Sequence, residues 1–271
     1  MPTLKVGARD VVAYDDIGQG PLVVLIHGSP GTSRAWQPVA ERLASRFRVV
    51  APSLPGYGGT TAPPGDSPGD NSYAAELIEA LVAEMGRPAV LAGYSYGGVV
   101  ALRTALRGKV RPAALALFEP VAVPVLAAVG EMEACVTSRA VFEDYGASFD
   151  AGDRLAVRKM IDYWFGPTVF DRMPAPVRDY LINNTGPNVR DVRATFRDSA
   201  YSVDGLRGLA MPVVVVYGSR SPEIMVRIVR AIVSHVPRGV LERLEGANHA
   251  MINTHVDVLA ASIAALADRS A

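Results

Sequence analysis

The chain has 271 residues, of which 49% are hydrophobic and 20% are charged, which excludes a mostly disordered protein. Basic and acidic residues both number 27, so the net charge of zero disfavours a nucleic-acid partner. The single cysteine, Cys135, excludes an intrachain disulfide. The first residues form no apolar signal segment, and no run of about 18 apolar residues predicts a membrane span. We therefore expect a soluble cytoplasmic protein.

Short apolar runs predict strands that are buried on both faces, as in a parallel sheet. The runs lie at 21–26, 47–51, 88–92, 113–118, 211–217 and 239–244. Helical periodicity lies between them, with helices expected from Thr32 or Ser33 to 45, from Asn71 or Ser72 to Gly86, from 95 to 106, and over 256–266. This alternation predicts an α/β protein with right-handed crossovers and a mostly parallel, doubly wound sheet.

The interval 121–209 interrupts the alternation because it contains no comparable strand-like run. Its prolines and its amphipathic stretches, such as 153–161, predict a helical insertion, or cap, over the C-terminal edge of the sheet. The expected organisation is a core domain of 1–120 and 210–271 with a cap of 121–209. A Pro/Gly-rich stretch at 63–69 is typical of a surface loop.

One glycine-flanked serine stands between a predicted strand and a predicted helix, in Gly93-Tyr94-Ser95-Tyr96-Gly97. In that context Gly-x-Ser-x-Gly indicates a nucleophile elbow. The sharp turn crowds the positions two before and two after the serine, which favours glycine at both. The strained serine then projects its hydroxyl from the sheet edge. A glycine-rich turn of a phosphate-binding fold is the alternative, although no lysine lies nearby.

A second turn, His27-Gly28-Ser29-Pro30, follows the first strong parallel strand. A backbone N–H at this turn can point toward the serine and stabilise an oxyanion together with the N–H of Tyr96. We expect the donors to be Ser29 and Tyr96. We interpret His27 as structural and not as the catalytic base, because it precedes Ser95 in the chain, whereas the base is expected after the serine. The alternative is an ordinary loop at the end of a strand.

Taken together, the motifs resemble the α/β-hydrolase fold superfamily over essentially the whole chain. They are HGSPG at 27–31, SLPGYGGT at 53–60, GYSYGG at 93–98, LFEP at 117–120, VVVVYGSRSP at 213–222 and EGANHAM at 245–251. The resemblance implies catalytic residues in the order Ser, acid, His, and it implies a helical cap at the insertion.

The resemblance places the catalytic base at His249, in the loop between the last predicted strand and the C-terminal helix. A histidine there can take the proton of the serine and return it to the leaving group. His255, at the start of that helix, is the competing base, and His235 is expected on the surface of an amphipathic helix. The histidines show no zinc-ligand spacing, so we expect no metal and no cofactor.

The acid departs from the family pattern, which usually has Asp three residues beyond the glycine that ends the seventh strand. Ser221 occupies that position here, and a neutral hydroxyl cannot stabilise an imidazolium as a carboxylate does. Glu119, at the end of the preceding strand, is the expected substitute, since some relatives such as certain haloalkane dehalogenases place their acid there. Glu223, a dyad and an inactive site remain the alternatives.

A serine at the elbow favours an acyl-enzyme, whereas the dehalogenases and epoxide hydrolases of this superfamily use Asp there. We expect a serine hydrolase that acts on a small-molecule ester or lactone through Ser95, His249 and Glu119. The same triad would suit C–C bond hydrolysis of a β-diketone-like substrate, or perhydrolysis by peroxide. A ligand receptor with little turnover is the rival from another class, because the usual acid is missing.

Aromatic residues flank the predicted site. Tyr94, beside the serine, and Trp164, in the insertion, are expected to contact substrate, and Tyr96 could also wall the pocket. The remaining aromatic residues of the insertion predict either an apolar entrance or the core of the cap; they are Phe142, Tyr145, Tyr163 and Phe165. Cys135 is expected to be a small buried residue rather than a nucleophile.

Overall fold

The computed structural model describes residues 1–65, 69–86 and 89–270. Within these ranges the strands form one eight-stranded sheet in the order β1-β2-β4-β3-β5-β6-β7-β8. The strands are β1 (Thr3–Val6), β2 (Asp10–Ile17), β3 (Leu22–Ile26), β4 (Arg48–Pro52), β5 (Ala89–Tyr94), β6 (Ala114–Phe118), β7 (Val213–Gly218) and β8 (Gly239–Leu244). β1 and β2 are antiparallel to their neighbours, and all other pairings are parallel.

Helices cover both faces of the sheet. Those of the core are a 3₁₀ helix (Ser33–Trp36), α1 (Gln37–Leu43), α2 (Ser72–Met85), α3 (Tyr96–Arg107), α11 (Glu223–Val233), α12 (Met251–Thr254) and α13 (Val256–Asp268). Between β6 and β7 lie α4 (Pro124–Ala128), α5 (Met132–Asp150), α6 (Val157–Phe165), α7 (Val169–Arg172), α8 (Ala175–Asn183), α9 (Thr185–Arg197) and α10 (Val203–Arg207). Of the described helices, none combines the length and the apolar character needed to cross a membrane.

The central strands are buried on both faces, which explains their continuous apolar sequences. In β3, Val23 and Leu25 pack into the layer that contains α1 and α13. Val24 and Ile26 point to the opposite layer, which contains α2, α3 and α11. The predicted mostly parallel, doubly wound sheet is therefore confirmed, and each of the six predicted strands is present. Pro88, at the start of the predicted third strand, lies outside the described residues.

The N-terminal strands β1 and β2 were not among the predicted elements. Both lie toward one edge of the sheet and are only partly buried, so their sequences lack a continuous apolar run. Asp15 and Asp16 in β2 illustrate the point, because charged residues are tolerated on an exposed strand face. Apolar runs identify the buried central strands and miss these two.

The predicted helix ends are correct in part. Gly86 and Gly108 follow α2 and α3 in the left-handed conformation that favours glycine at these ends. The stretch after Thr32 begins instead as a 3₁₀ helix, and neither Thr32 nor Asn71 caps a helix with its side chain. α11 ends at Val233, so the prediction that His235 lies within that helix is wrong. In the predicted loop 63–69, residues 66–68 lie outside the described part of the chain.

Between β6 and β7 the chain forms seven helices and no strand over 121–209, all of which is described. α5 packs against α4, α6 and α9. The amphipathic stretch predicted over 153–161 corresponds to α6, which begins and ends four residues later. This segment leaves the sheet at the C-terminal ends of the parallel strands, the edge at which α/β folds bind their ligands.

Candidate active site

The turn between β5 and α3 holds Ser95 in a strained conformation, with φ 56° and ψ −122°. Close packing makes this turn possible only with glycines on either side. A Cβ on Gly93 would lie 2.3 Å from the carbonyl oxygen of Gly97, and a Cβ on Gly97 would lie 2.1 Å from that of Ile26. The predicted crowding at both glycine positions is confirmed. The serine hydroxyl thus stands at the strand end, before the first turn of a helix.

His249, in the loop between β8 and α12, lies against this serine. Its Nε2 is 3.0 Å from Ser95 Oγ, and its Nδ1 is 2.7 Å from Glu119 Oε2. The carboxylate can only accept, so Nδ1 carries the proton and Nε2 is free to accept the serine O–H. His249 is 2% exposed and Glu119 is fully buried, so the contact between these two side chains is shielded from bulk water.

Glu119 reaches the ring from the end of β6, where its backbone has φ 46°. Its second oxygen, Oε1, accepts the N–H of Gly218 at 2.8 Å and also the hydroxyl of Ser221. The serine that occupies the usual acid position therefore donates to the carboxylate that contacts the histidine. A buried carboxylate is tolerated when donors surround it in this way.

The alternative residues lie elsewhere. The Glu223 side chain is 74% exposed on α11 and lies 3.8 Å from Arg227, and the structure does not bring it to the His249 ring. His255 caps α13, and its Nδ1 is 2.8 Å from the Thr254 hydroxyl. His235 follows α11 and is half-buried, with Nδ1 2.9 Å from the carbonyl of Ala231.

His27 is fully buried beneath the turn that follows β3. Its Nε2 accepts the N–H of Leu54 at 2.8 Å, so the proton is on Nδ1, which donates to the carbonyl of Gly28 at 2.7 Å. Burial lowers the pKa of this imidazole to about 4, against the hydrogen bond to Gly28. A neutral ring that joins two loop segments fits the structural role expected for it.

The two expected oxyanion donors face the same cavity as Ser95, because Ser29 and Tyr96 both line it. Within the described ranges, the structure shows no hydrogen-bond acceptor for the backbone N–H of either residue. The N–H of Ser95, by contrast, is bound to the carbonyl of Phe118 at 2.9 Å, which ties the elbow to β6. Two unpaired backbone N–H groups facing this cavity can donate hydrogen bonds to an oxyanion and stabilise its developing negative charge.

A cavity of about 400 Å³ lies over the serine, between the sheet and the helices of 121–209. Most of its wall is apolar, and Trp164 and Phe165 lie next to the histidine with ring centroids 5.7 and 5.0 Å from that of His249. Tyr94 also lines the cavity, and its hydroxyl donates to the carbonyl of His249. Further apolar side chains are contributed by Val121, Val123, Phe142, Met160, Ile161, Val169, Met173, Leu181 and Phe196.

The aromatic residues of the segment divide between the cavity and its surroundings. Phe142, Trp164 and Phe165 line the cavity, whereas Tyr145 and Tyr163 are not among the lining residues. Tyr163 donates to the Ser138 hydroxyl at 2.8 Å within the helical layer. The structure therefore supports both interpretations, an apolar cavity wall and a core for the helices. Cys135 is buried, as expected.

Sequence reasoning missed a polar cluster on α9. Asn188 and Asp191 line the cavity among apolar neighbours, and both contact the Ser29 hydroxyl. Burial raises the pKa of Asp191 to about 6, although Arg190, Ser29 and Tyr57 oppose the shift. The available signal was a row of polar residues at helical spacing, at 185, 188, 191 and 195, on a face that the structure buries.

The sequence matches a family model described as the alpha/beta hydrolase family over residues 23–262. Among curated proteins, it is 37% identical over 92 residues to a pimeloyl-[acyl-carrier protein] methyl ester esterase of Vibrio vulnificus, which covers 33% of this chain and 32% of that protein. It is 39% identical over 112 residues to a 2-hydroxy-6-oxo-2,4-heptadienoate hydrolase of Pseudomonas putida, or 40% of each chain. The matches thus span only about a third of the length of the first of these curated relatives.

Solved structures resemble the fold over nearly its whole length. An esterase from Exiguobacterium antarcticum superposes with a TM-score of 0.74 at 18% identity, covering 98% of both chains. An enol-lactonase from Burkholderia xenovorans gives a TM-score of 0.70 at 17% identity, covering 98% of this chain and 99% of that one. At these identities the likeness concerns the fold alone.

Proposed function

Because the chain belongs to the alpha/beta hydrolase family, we propose that it is a serine hydrolase that cleaves a small carboxylic ester or lactone through an acyl-enzyme on Ser95. One observation carries the proposal: a buried hydrogen-bonded path runs from Ser95 Oγ through the His249 ring to Glu119, with distances of 3.0 and 2.7 Å. The serine hydroxyl is thereby within proton-transfer reach of the base, and the acid contacts the opposite nitrogen of the same ring. The reaction requires no cofactor.

In this mechanism His249 Nε2 removes the serine proton as Oγ attacks the carbonyl carbon. Glu119 stabilises the imidazolium that forms and keeps the ring in the required tautomer. The imidazolium then protonates the leaving alcohol. Water attacks the acyl-enzyme with His249 again as the base, the bond to Ser95 Oγ breaks, and the imidazolium returns the proton to Oγ as the carboxylic acid leaves. Glu119 remains a carboxylate throughout this cycle.

The backbone N–H groups of Ser29 and Tyr96 are the proposed oxyanion donors. Both lack another acceptor within the described residues, and both belong to turns that follow parallel strands. An oxyanion hole of this kind contributes about 10²–10³ in rate per donor. The oxyanion of the tetrahedral intermediate would thus accept hydrogen bonds from two fixed amides rather than from water.

We further propose that 121–209 acts as a cap on a core of 1–120 and 210–271. The cap supplies much of the apolar wall of the 400 Å³ cavity, including Trp164 over the histidine. Such a wall suits an apolar acyl or alcohol group, with Tyr94 and Trp164 as the proposed contacts nearest the reacting carbonyl.

One curated relative is named as a methyl ester esterase and one similar solved structure is named as an esterase, and both names favour an ester substrate. The relative named as a 2-hydroxy-6-oxo-2,4-heptadienoate hydrolase favours a second candidate, C–C bond hydrolysis by the same triad. The two candidates differ in the bond cleaved and not in the residues that would act.

The test is the hydrolysis of p-nitrophenyl acetate by the wild type and by Ser95→Ala. We expect a burst of nitrophenolate, an acetyl group on the Ser95 peptide by mass spectrometry, and a loss of about 10⁴-fold or more in kcat in the variant. The matched control is Ser138→Ala, which removes a buried hydroxyl far from the elbow turn in sequence. Its burst and its kcat should equal those of the wild type.

Equal rates for Ser95→Ala and the wild type would disprove the proposal. Binding of esters without turnover in the wild type would favour a receptor instead. Cleavage of a vinylogous 1,5-diketone at a much higher kcat/KM than any ester tested would favour the C–C candidate.

A further inference from the structure

The side chain of Ser29 is bound by residues that lie about 160 positions away in the sequence. Its hydroxyl donates to Asp191 Oδ2 at 2.6 Å and accepts from Asn188 Nδ2 at 2.9 Å. Tyr57 lies 2.9 Å from the same hydroxyl and donates to Asp191 Oδ2 at 2.8 Å. The Ser29 hydroxyl is thus held by two residues of α9 and by Tyr57.

These partners are themselves held in place. Asn188 accepts the hydroxyl of Tyr145 at 2.7 Å, so its amide nitrogen is directed at Ser29. Asp191 is 5% exposed, and Asn188 is 2% exposed. Each hydrogen bond of this buried network restricts its geometry, because breaking the bond leaves a buried polar group unsatisfied.

We infer that Asn188 and Asp191 are positioning residues that hold the backbone N–H of Ser29 in place as an oxyanion donor, by way of the Ser29 side chain. The inference rests on the proposed function. The cap would thereby take part in catalysis without contacting the reacting atoms. Catalysis requires a donor placed within a few tenths of an ångström, and an unsupported loop does not supply that accuracy.

The buried charge of Asp191 is consistent with a role in holding the Ser29 side chain. Burying a carboxylate is costly, and a cap that only needed to adhere to the core could do so with apolar contacts. The carboxylate instead accepts two hydroxyls, and its other oxygen, Oδ1, lies 3.6 Å from Arg190 Nη2. Burial raises the pKa of the nearby Tyr57, Tyr96 and Tyr145 hydroxyls above its ordinary value, so each keeps the proton that it can donate.

The experiment measures the acylation rate and KM for p-nitrophenyl acetate at pH 7.5 in Ser29→Ala, Asp191→Ala and the double variant. Each single change should lower the acylation rate roughly tenfold, less than the loss of a whole oxyanion donor, with KM within about twofold of the wild type. The double variant should be no slower than the slower single variant, because both changes remove the same link.

Asp191→Asn is the conservative variant and should recover most of the lost rate, because its amide oxygen accepts the same two hydroxyl protons. Ser138→Ala is the matched control, since it also removes a hydroxyl bound to a tyrosine, on α5. A boronic acid that forms a tetrahedral adduct with the serine should bind more weakly in Ser29→Ala by the same factor as kcat/KM falls.

Three results would overturn the inference: effects of Ser29→Ala and Asp191→Ala that multiply in the double variant, a rate for Ser29→Ala equal to that of Ser138→Ala, or equal impairment by Asp191→Asn and Asp191→Ala. Acylation of Ser95 in the wild type distinguishes failure of this inference from failure of the proposed function. If wild-type Ser95 is not acylated, the proposed function fails; if it is acylated and Ser29→Ala is unimpaired, only the positioning role fails.

Discussion

Glu119 combines three features that rarely occur together in one residue. It is fully buried, it has a positive φ, and each of its carboxylate oxygens accepts a hydrogen bond. A non-glycine residue in this backbone region carries strain that the surroundings must offset. The donors at Gly218 and Ser221 offset it here, because they hold the side chain toward His249.

We predict that Glu119→Gln lowers kcat for p-nitrophenyl acetate by about 10³–10⁴, as the loss of a triad carboxylate does elsewhere. A neutral amide cannot stabilise the imidazolium, and it can present the wrong atom to Nδ1. Glu223→Gln is the matched control, because Glu223 is exposed and paired only with Arg227 in the described contacts. Steady-state kinetics of both variants would check this, and comparable rates for the two would exclude Glu119 as the acid.

At the scale of elements, the elbow depends on how closely α3 approaches β3. Gly97 is the contact point, since a Cβ there would lie 2.1 Å from the carbonyl oxygen of Ile26. The nearest atoms all belong to the backbone of Ile26 and His27, so no flexible side chain can move aside. The helix could accommodate a larger residue only by shifting away from the strand, which would displace Ser95 as well.

Gly97→Ala should therefore lower the free energy of unfolding by several kcal/mol, or prevent folding, as overpacking against backbone does. Gly108→Ala is the matched control at the other end of α3. Gly108 has φ 65° and no atom within 4 Å of a new Cβ, so the change should cost only about 1–2 kcal/mol of backbone strain. Urea unfolding and soluble yield measure both. Equal costs would contradict the packing argument.

The same scale shows what periodicity could and could not predict. The strands β3, β5, β6 and β7 were expected because they are buried on both faces and consist of continuous apolar residues. The partly buried strands β1 and β2 and the 3₁₀ start before α1 were not expected. Their conformation depends on pairing and packing with distant segments, which no local pattern records.

In the molecule as a whole, two buried groups respond to acid in opposite directions. The pKa of His27 is lowered from 6.5 to about 4 by burial, so the unfolded chain takes up this proton first. Its stabilising contribution is complete above pH 6.5 and is lost as the pH falls toward 4. The pKa of Asp191 is raised from 3.8 to about 6 by burial, so its contribution is present below pH 3.8 and is lost as the pH rises through 6.

Each shift corresponds to about 3 kcal/mol, and between pH 4 and 6 the two slopes largely cancel. We predict that Asp191→Asn removes the compensation, so that its free energy of unfolding falls more steeply on acidification from pH 6 to 4 than that of the wild type. Urea unfolding at pH 7, 5.5 and 4.5 measures this. Asp198→Asn, another buried carboxylate, paired with Arg103 at 3.2 Å, is the matched control. Parallel pH profiles for Asp191→Asn and the wild type would contradict the prediction.

The sequence alone determined the features whose causes are local. The glycines around Ser95 indicate a tight turn because only glycine fits it, and the apolar runs indicate buried strands because each residue there faces the core. Only the tertiary structure decided that Glu119, and not Glu223, contacts His249, and that Asn188 and Asp191 bind Ser29. These contacts join positions about 130 to 160 residues apart. Whether such side chains meet depends on how the sheet and the helices of 121–209 pack together, which spacing along the chain does not encode.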